Sequence, residues 1–462
     1  MSKKRRKPMI QVKMVAKTDI DPVQLASYVA LLCYQAELPE MGKIIDVENR
    51  LFKVSHHTTI QHFSFTFSIE GIAVGDITFG MHLASPFYNS DQRSGRFCAK
   101  MFIEPDFEKI ESYISGFWPE ISPVLRREIL QYIQKGVTIY QSNIGRAAEI
   151  ARNFLKAERP YASEKYLEQN APKIAQEQMR MFIPIIFPTA FAFTVDLSAL
   201  VAMYESAWTP ATKYVTEQMV KKVLKKYPKL KFMFDANRRR KGEWAMNLPS
   251  ISSVSLKHKP GFKLIDIIGE DKFKLPDADL MHPVDKLHFY PETMDNSIGK
   301  IWTQVEISAA TMGQDQRHRT IGRSEPSFTG SFYTPPVVKA LGLQEEAKKL
   351  MRQWIRLGKK LPKTSAMIIA PYGAMVSYDK SGDFNAIAHE QAKRLCWCAQ
   401  EEIYHAGRAL RLAIKKRNPK SLIIKTLEPH CYPTGKCAEG GRYCGRNIKL
   451  RKAGDYFPER KV

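Results

Sequence analysis

Hydrophobic and polar residues change period several times along this chain, and each change marks an element. Met9–Lys17 alternates apolar and polar side chains and predicts a strand. Asp21-Pro22 then opens a helix through Leu25, Tyr28 and Leu32, since Asp accepts amide bonds at a helix start and Pro suits the first turn. Phe63–Ile69 alternates again and reads as a strand. Leu125, Ile129, Tyr132 and Ile133 fall on one helical face behind Ser122-Pro123, which predicts a helix over Arg126–Gln134. Phe191–Leu200 reads as a strand running into a helix start.

After a charged stretch the succession begins again. Phe262–Ile268 predicts a strand with its following helix shortened or lost, and Trp302–Ala310 predicts another strand. Leu350, Trp354 and Leu357 mark a helix. A long amphipathic helix is expected through Ala406, Leu410 and Ile414. The two successions predict an α+β protein of two tandem units. The expected divisions are a basic arm at 1–7, a first repeat at 8–235, a basic connector at 236–261, a second repeat at 262–416 and a Cys/Gly-rich basic tail at 417–462.

Composition narrows the partners without choosing one. The 462 residues carry a formal net charge of +24, a field that attracts nucleotides and nucleic acids alike over roughly 8–10 Å at ordinary salt. No apolar run reaches the length of a membrane span, and the basic start at Met1–Pro8 lacks the apolar segment of a secretory signal. Seven cysteines without a pairing pattern fit a reducing, cytoplasmic setting. His430, Cys431, Cys437 and Cys444 offer a chemically possible Cys₃His zinc set. Their spacing lacks a C-x-x-C knuckle, so reduced thiols in an exposed loop are the other reading.

The chemistry concentrates in Gln314-Asp-Gln-Arg317-His318-Arg319-Thr-Ile-Gly-Arg-Ser-Glu325-Pro-Ser327. Arginine forks make bidentate, charge-assisted bonds to phosphate and carbonyl groups. The segment resembles the signature of flavin-dependent thymidylate synthases, R-H-R-x-x-S-x-N-E-x-S-x-R-Y. Other segments resemble the family too. His56, Thr58, His62 and Phe65-Thr66-Phe67 fit H-x-[ST]-x-x-E-H followed by F-T-F, with Gln61 in place of Glu. Asp91–Phe97 is similar to N-E-x-S-x-R-Y, although Met81-His82-Leu83 stands where R-H-R would be. Arg180 matches the arginine of A-R-x-x-L-P, a segment that Met367–Pro371 repeats without it. Arg394–Ile403 is similar to R-x-x-x-x-A-Q-x-E-I, which would open the long helix through Ala406, Leu410 and Ile414.

The losses are complementary. The first repeat lacks the R-H-R arginines but keeps Ser94, Gly95, Arg96 and Arg180. The second keeps Arg317, His318, Arg319 and Arg394, but Thr329 replaces the phosphate-gripping arginine. In the family, each site draws flavin and dUMP ligands from different chains of a homotetramer.

The resemblance therefore implies that each repeat is a mixed sheet packed with long helices, with a site shared between repeats and a homodimer that rebuilds a pseudo-tetramer. It implies FAD held by Arg317, His318 and Arg319 with His56 and Thr58 nearby. It implies dUMP held by Ser94, Gly95, Arg96 and Arg180, with Arg394 facing the uracil and Gln314, Glu325 and Ser327 as further contacts. Methylene-tetrahydrofolate would donate carbon, and NADPH would reduce the flavin. Two alternatives remain open: a catalytically silent nucleotide- or nucleic-acid-binding relative, and a flavin enzyme that modifies another pyrimidine.

Overall fold

The structure is a computed structural model that describes residues 10–83, 87–95, 98–281, 286–437, 439–440, 443–444 and 457–462. The basic arm at 1–7 lies outside the described residues.

The first sheet joins β1 (Gln11–Lys17), β2 (Ser64–Ala73), β3 (Tyr88–Gln92) and β4 (Pro188–Asp196) in the order β1-β2-β4-β3. Every pairing is antiparallel. Register follows from the alternation: Phe67 lies opposite Phe193, Phe65 opposite Val195 and Ile69 opposite Phe191, so one face of the sheet is buried and aromatic.

The second sheet joins β5 (Ser255–Lys257), β6 (Gly261–Ile268), β7 (Lys300–Ser308), β9 (Ser327–Tyr333) and β10 (Ala374–Asp383) in the order β5-β9-β10-β7-β6. The two-residue β8 (Gly322–Arg323) pairs with β10 off this path. The path β6-β7-β10-β9 has the same order as β1-β2-β4-β3, first beside second beside fourth beside third. β5 is the addition, parallel to β9, and it comes from the connector.

Among the described residues, ten α-helices of seven or more residues surround these sheets: α1 (Pro22–Leu32), α2 (Phe107–Phe117), α3 (Pro123–Glu158), α4 (Glu164–Met179), α5 (Leu197–Ser206), α6 (Pro210–Lys226), α7 (Ala309–Asp315), α8 (Gln344–Gly358), α9 (Phe384–Arg394) and α10 (Glu401–Arg417). Asp21 caps α1 by accepting from Val23 N (2.9 Å) and Gln24 N (3.1 Å). β4 and β10 each run straight into a helix capped in one manner. Asp196 accepts from Ala199 N and Asp383 from Ala386 N, each at 2.7 Å. After β6, only short 3-10 turns lead to β7 among the described residues, in line with the expected loss of a helix.

The helix expected over Arg126–Gln134 is much longer, 36 residues from Pro123 to Glu158. It packs against the chain so closely that a Cβ on Gly136 would collide with the Phe182 carbonyl oxygen. Arg394 does not open the long helix; it ends α9, and a break separates it from α10.

The two halves meet backbone to backbone at their Pro-containing segments. Pro184 bridges Pro371, Ile185 N donates to Ala370 O (2.8 Å), and Tyr372 N donates to Ile183 O (2.8 Å). One buried apolar core contains Phe65 and Phe193 from the first sheet with Val305, Phe328 and Val376 from the second. A smaller core gathers Phe384, Tyr404, Tyr432 and Phe457. The boundary between halves is thus packed interior, unsuited to hinge motion.

The tail corrects one expectation. Cys431 and Cys444 are buried, at 7% and 4% exposure, because they pack into that smaller core. The zinc set of His430, Cys431, Cys437 and Cys444 is not assembled: among the described residues no group of three or more His, Cys, Asp or Glu side chains is placed to hold a metal. Nor is any helix among them long and apolar enough to cross a membrane.

Candidate functional site

The loop after α7 is fixed from below by buried charge. Asp315 accepts from Arg323 Nε (2.5 Å), Lys380 Nζ (2.5 Å) and the Tyr378 hydroxyl (2.9 Å). Lys380, on β10, also reaches Glu390 on α9 at 2.6 Å. Burial alone would raise the Asp315 carboxyl, but the Arg323 and Lys380 cations outweigh it and hold the group well below the usual carboxylate range. Arg323 closes the loop by donating to His318 O (3.1 Å) and Ile321 O (2.8 Å). Sequence reading missed this network because its members look like ordinary surface charges until folding brings them together.

His318 points inward against His389, with ring centroids 5.5 Å apart. Burial, with Arg394 beside it, pushes its pKa well below the ordinary imidazole range, so it is neutral at pH 7. The R-H-R run therefore presents two cations, not three.

Both arginines cross to β3 in the other half. Arg317 pairs with Asp91 at 2.7 Å. Arg319 donates to Asn89 Oδ1 (3.1 Å) and Ser90 O (3.3 Å), and its guanidinium lies 4.9 Å from the Tyr88 ring centroid. His82 stacks on the same ring and bonds Ser90 Oγ at 3.0 Å.

On the other side of α7, a polar chain joins the halves. Gln314 donates to Gln400, Arg180 Nη2 reaches the same Gln400 oxygen at 3.2 Å, and Arg394 donates to the Gln314 carbonyl. Gly95 lies against Arg180: an added Cβ would sit 3.5 Å from Arg180 Nη1. Gln400, the glutamine of the A-Q segment, joins the candidates.

The structure thus brings Gly95, Arg180, Gln314 and Arg394 into one region, with Arg317 and Arg319 along the same boundary. Ser94 adjoins Gly95, its carbonyl taking the Cys98 N–H at 2.9 Å; Arg96 lies outside the described residues. Glu325 stands apart from the polar chain and accepts from Trp244 Nε1 at 2.6 Å. Ser327 starts β9 opposite Ser377. His56 and Thr58 are exposed before β2, and neither bonds to the 314–319 segment among the described residues.

Two cavities flank the loop. One of about 490 Å³ is lined by Tyr88, Trp208, Trp244, Arg240, Arg319 and Glu325. The other, about 500 Å³, presents Arg159, Lys173, Arg317, Lys393, Arg394 and Arg460, with Glu439 and Val462 also on the lining. The donors are not all used. Arg180 Nε, Arg319 Nε, Arg394 Nε and Gln400 Nε2 are buried with no partner among the described residues. Orphaned buried N–H groups are costly, and an anionic, acceptor-rich ligand would satisfy them. The donor set fits a flavin cofactor or a nucleotide in that respect.

Two glutamates begin α10 beneath this region. Glu402 accepts from Ser308 N (2.6 Å) and Ser308 Oγ (2.5 Å), and Glu401 accepts from the Tyr333 hydroxyl at 2.8 Å. Burial lifts the Glu402 carboxyl from 4.5 to about 7. A raised folded pKa means that the folded state holds the proton more tightly than the unfolded chain. The associated stability is fully present below 4.5 and lost as pH rises through about 7. Over that window the loss should be on the order of 3 kcal/mol. Unfolding titrations across it should show this fall, and Glu402→Gln should flatten the slope; a slope unchanged by the substitution would contradict the assignment.

Comparison with known proteins places the N-terminal half. Residues 13–230 match the family described as thymidylate synthase complementing protein, and the 314–327 segment lies beyond that match. Comparison with curated protein sequences found no match. Among solved structures, thymidylate synthase ThyX from Helicobacter pylori, complexed with FAD and dUMP, is 14% identical. The likeness covers 50% of this chain and 100% of that one, with a TM-score of 0.32. The UMP/dUMP methylase PolB from Streptomyces cacaoi, bound with 5-Br UMP, is 13% identical over 35% of this chain and 92% of that one, at a TM-score of 0.29. These likenesses are distant, and the assignment rests on the family match. Residues 13–230 of the chain thus match the thymidylate synthase complementing protein family, the flavin-dependent thymidylate synthases.

Proposed function

We propose that this chain is a flavin-dependent thymidylate synthase built as a tandem duplicate, with its site on the boundary between repeats 8–235 and 262–416. The shared strand order of the two sheets and their matching Asp-capped helices support the duplication. The observation that carries the shared site is the crossing of the boundary by Arg317 and Arg319 to Asp91, Asn89 and Ser90, alongside Arg180–Gln400–Gln314.

In this reading FAD is held at the R-H-R loop, and when bound it supplies the hydride that completes a methyl group on C5 of dUMP. Arg319, with Trp208 and Trp244 on the aromatic side, would orient a planar ring. Arg317, on the cationic side, would hold its phosphates. Arg180 and the Gly95 backbone would hold the nucleotide phosphate, with Ser94 beside them. Arg394 would place its charge near the uracil, where it stabilises negative charge building on the ring. Neutral His318 can accept or donate a single hydrogen bond without adding a third charge. Methylene-tetrahydrofolate as carbon donor, NADPH as reductant, a homodimer and a cytoplasmic location complete the reading.

The test is turnover by the purified, FAD-reconstituted chain supplied with methylene-tetrahydrofolate and NADPH, with dUMP, UMP and dCMP offered separately. The expected product is dTMP from dUMP. Product from another pyrimidine alone would move the substrate, and no product with any of them would defeat the enzyme reading.

A further inference from the structure

We infer that Arg159 and Arg460 form a phosphate-binding subsite in the cationic cavity, completed by a segment of the chain that lies beyond the family match. Arg159 follows α3 and Arg460 sits in Phe457–Val462; they are 4% and 3% exposed. The segment is held by its backbone from both sides. Tyr404 OH donates to Pro458 O (3.0 Å), Arg408 Nε to Phe457 O (2.6 Å) and Gln178 Nε2 to Lys461 O (2.7 Å). His405 Nε2 bonds Arg460 O at 2.9 Å. Arg460 is thereby delivered into the cavity wall.

The two guanidiniums converge. Arg159 Nη2 donates to Trp397 O at 2.7 Å and Arg460 Nη2 to the same oxygen at 2.8 Å. Both also reach the Val462 main-chain oxygen. Arg159 adds the Tyr166 hydroxyl, and Arg460 adds Ala399 O at 3.3 Å. Each Nε remains buried with no partner among the described residues.

Burial, and then the charge of Arg159, lowers the Arg460 pKa from the ordinary guanidinium value. Two buried cations sharing one carbonyl repel each other, and Arg317, Lys393 and Arg394 add charge of the same sign along the cavity. The carboxylates nearby are that of Val462, whose oxygen both guanidiniums reach, Glu158, which takes the Lys461 N–H, and Glu439 on the lining, which leaves the cations in excess. A phosphate group brings several acceptor oxygens and about two charges, which is what paired guanidinium forks accept best.

The inference rests on this geometry and does not require a flavin. Its test is calorimetric titration of the full chain with inorganic pyrophosphate and, separately, with ADP. Binding of at least one is expected, weakened about tenfold or more in Arg159→Gln and Arg460→Gln and several-fold in Lys393→Gln, whose side chain is exposed. Tighter ADP binding would assign the phosphate to a nucleotide; tighter pyrophosphate binding would assign it to the free ion. Should the buried variants unfold, as seen by circular dichroism, Lys393→Gln decides. Unchanged affinity in folded variants, or neither probe bound at millimolar concentration, would overturn the subsite. Pyrophosphate binding by a chain that takes up no flavin would leave it standing while defeating the synthase reading.

Discussion

Asp315→Asn should destabilise the chain by about 3–5 kcal/mol, the scale on which breaking a buried charge pair acts. The substitution keeps the shape and removes one negative charge. Arg323 and Lys380, 8% and 9% exposed at their side chains, would then keep, among the described residues, Glu390 as counter-charge. The damage should not stay local, because Arg323 also closes the loop through His318 O and Ile321 O. Denaturant unfolding of the single variant, of Lys380→Met and of the double variant separates charge from shape. The double should recover a good part of the loss, since it removes a stranded cation with its former partner. Additive losses would mean that Asp315 and Lys380 act independently and that the network does not set the loop.

Arg394→Ala should lower kcat/KM for dUMP by about 10²–10³, the range for removing one preorganised donor at a site of developing charge. In the proposed reading Arg394 faces the uracil. It ends α9, its guanidinium donates to Gln314 O, and its Nε is buried with no partner among the described residues. Arg394→Lys keeps the charge without the fork and should fall between the two. Comparing kcat and KM distinguishes the roles: loss in kcat marks an interaction made in the transition state, whereas a rise in KM alone marks ordinary binding. A change in neither, in a folded variant, would reduce Arg394 to a helix-end arginine.

Much of the scaffold was readable before folding because its signals are local. Asp21-Pro22 and Ser122-Pro123 both start helices as expected, Asp21 accepting from Val23 N at 2.9 Å and Ser122 from Leu125 N at 3.2 Å. Phe65 and Phe67 lie on the buried face of β2, as their alternation required. The far end of α3 was not readable: Ala147, Ala151 and Leu155 are its buried positions there, and small residues among charges leave a faint stripe.

The candidate site divides along the same line. Arg180, Gln314, Arg317, Arg319 and Arg394 could be named because they sit in motifs. Gln400 sat in a quoted motif with no role given to it. Asp315, Lys380 and Glu390 lie on α7, β10 and α9, and only the sheet brings them together. Trp244 and Arg460 come from the connector and the tail, where no local pattern marks a cavity lining.

The central claim is a single site assembled from both halves, and flavin absorbance at about 450 nm tests it most directly. The measurement takes flavin-to-chain stoichiometry and the spectral response to dUMP in the natural chain, in Arg319→Ala and in Arg180→Ala. About one flavin per chain is predicted, with a spectral change on adding dUMP. Arg319→Ala should lose the flavin band, and Arg180→Ala should keep the band but lose the response to dUMP. An Arg180→Ala variant that responds to dUMP as the natural chain does, or a natural chain that binds no flavin at all, would contradict the account.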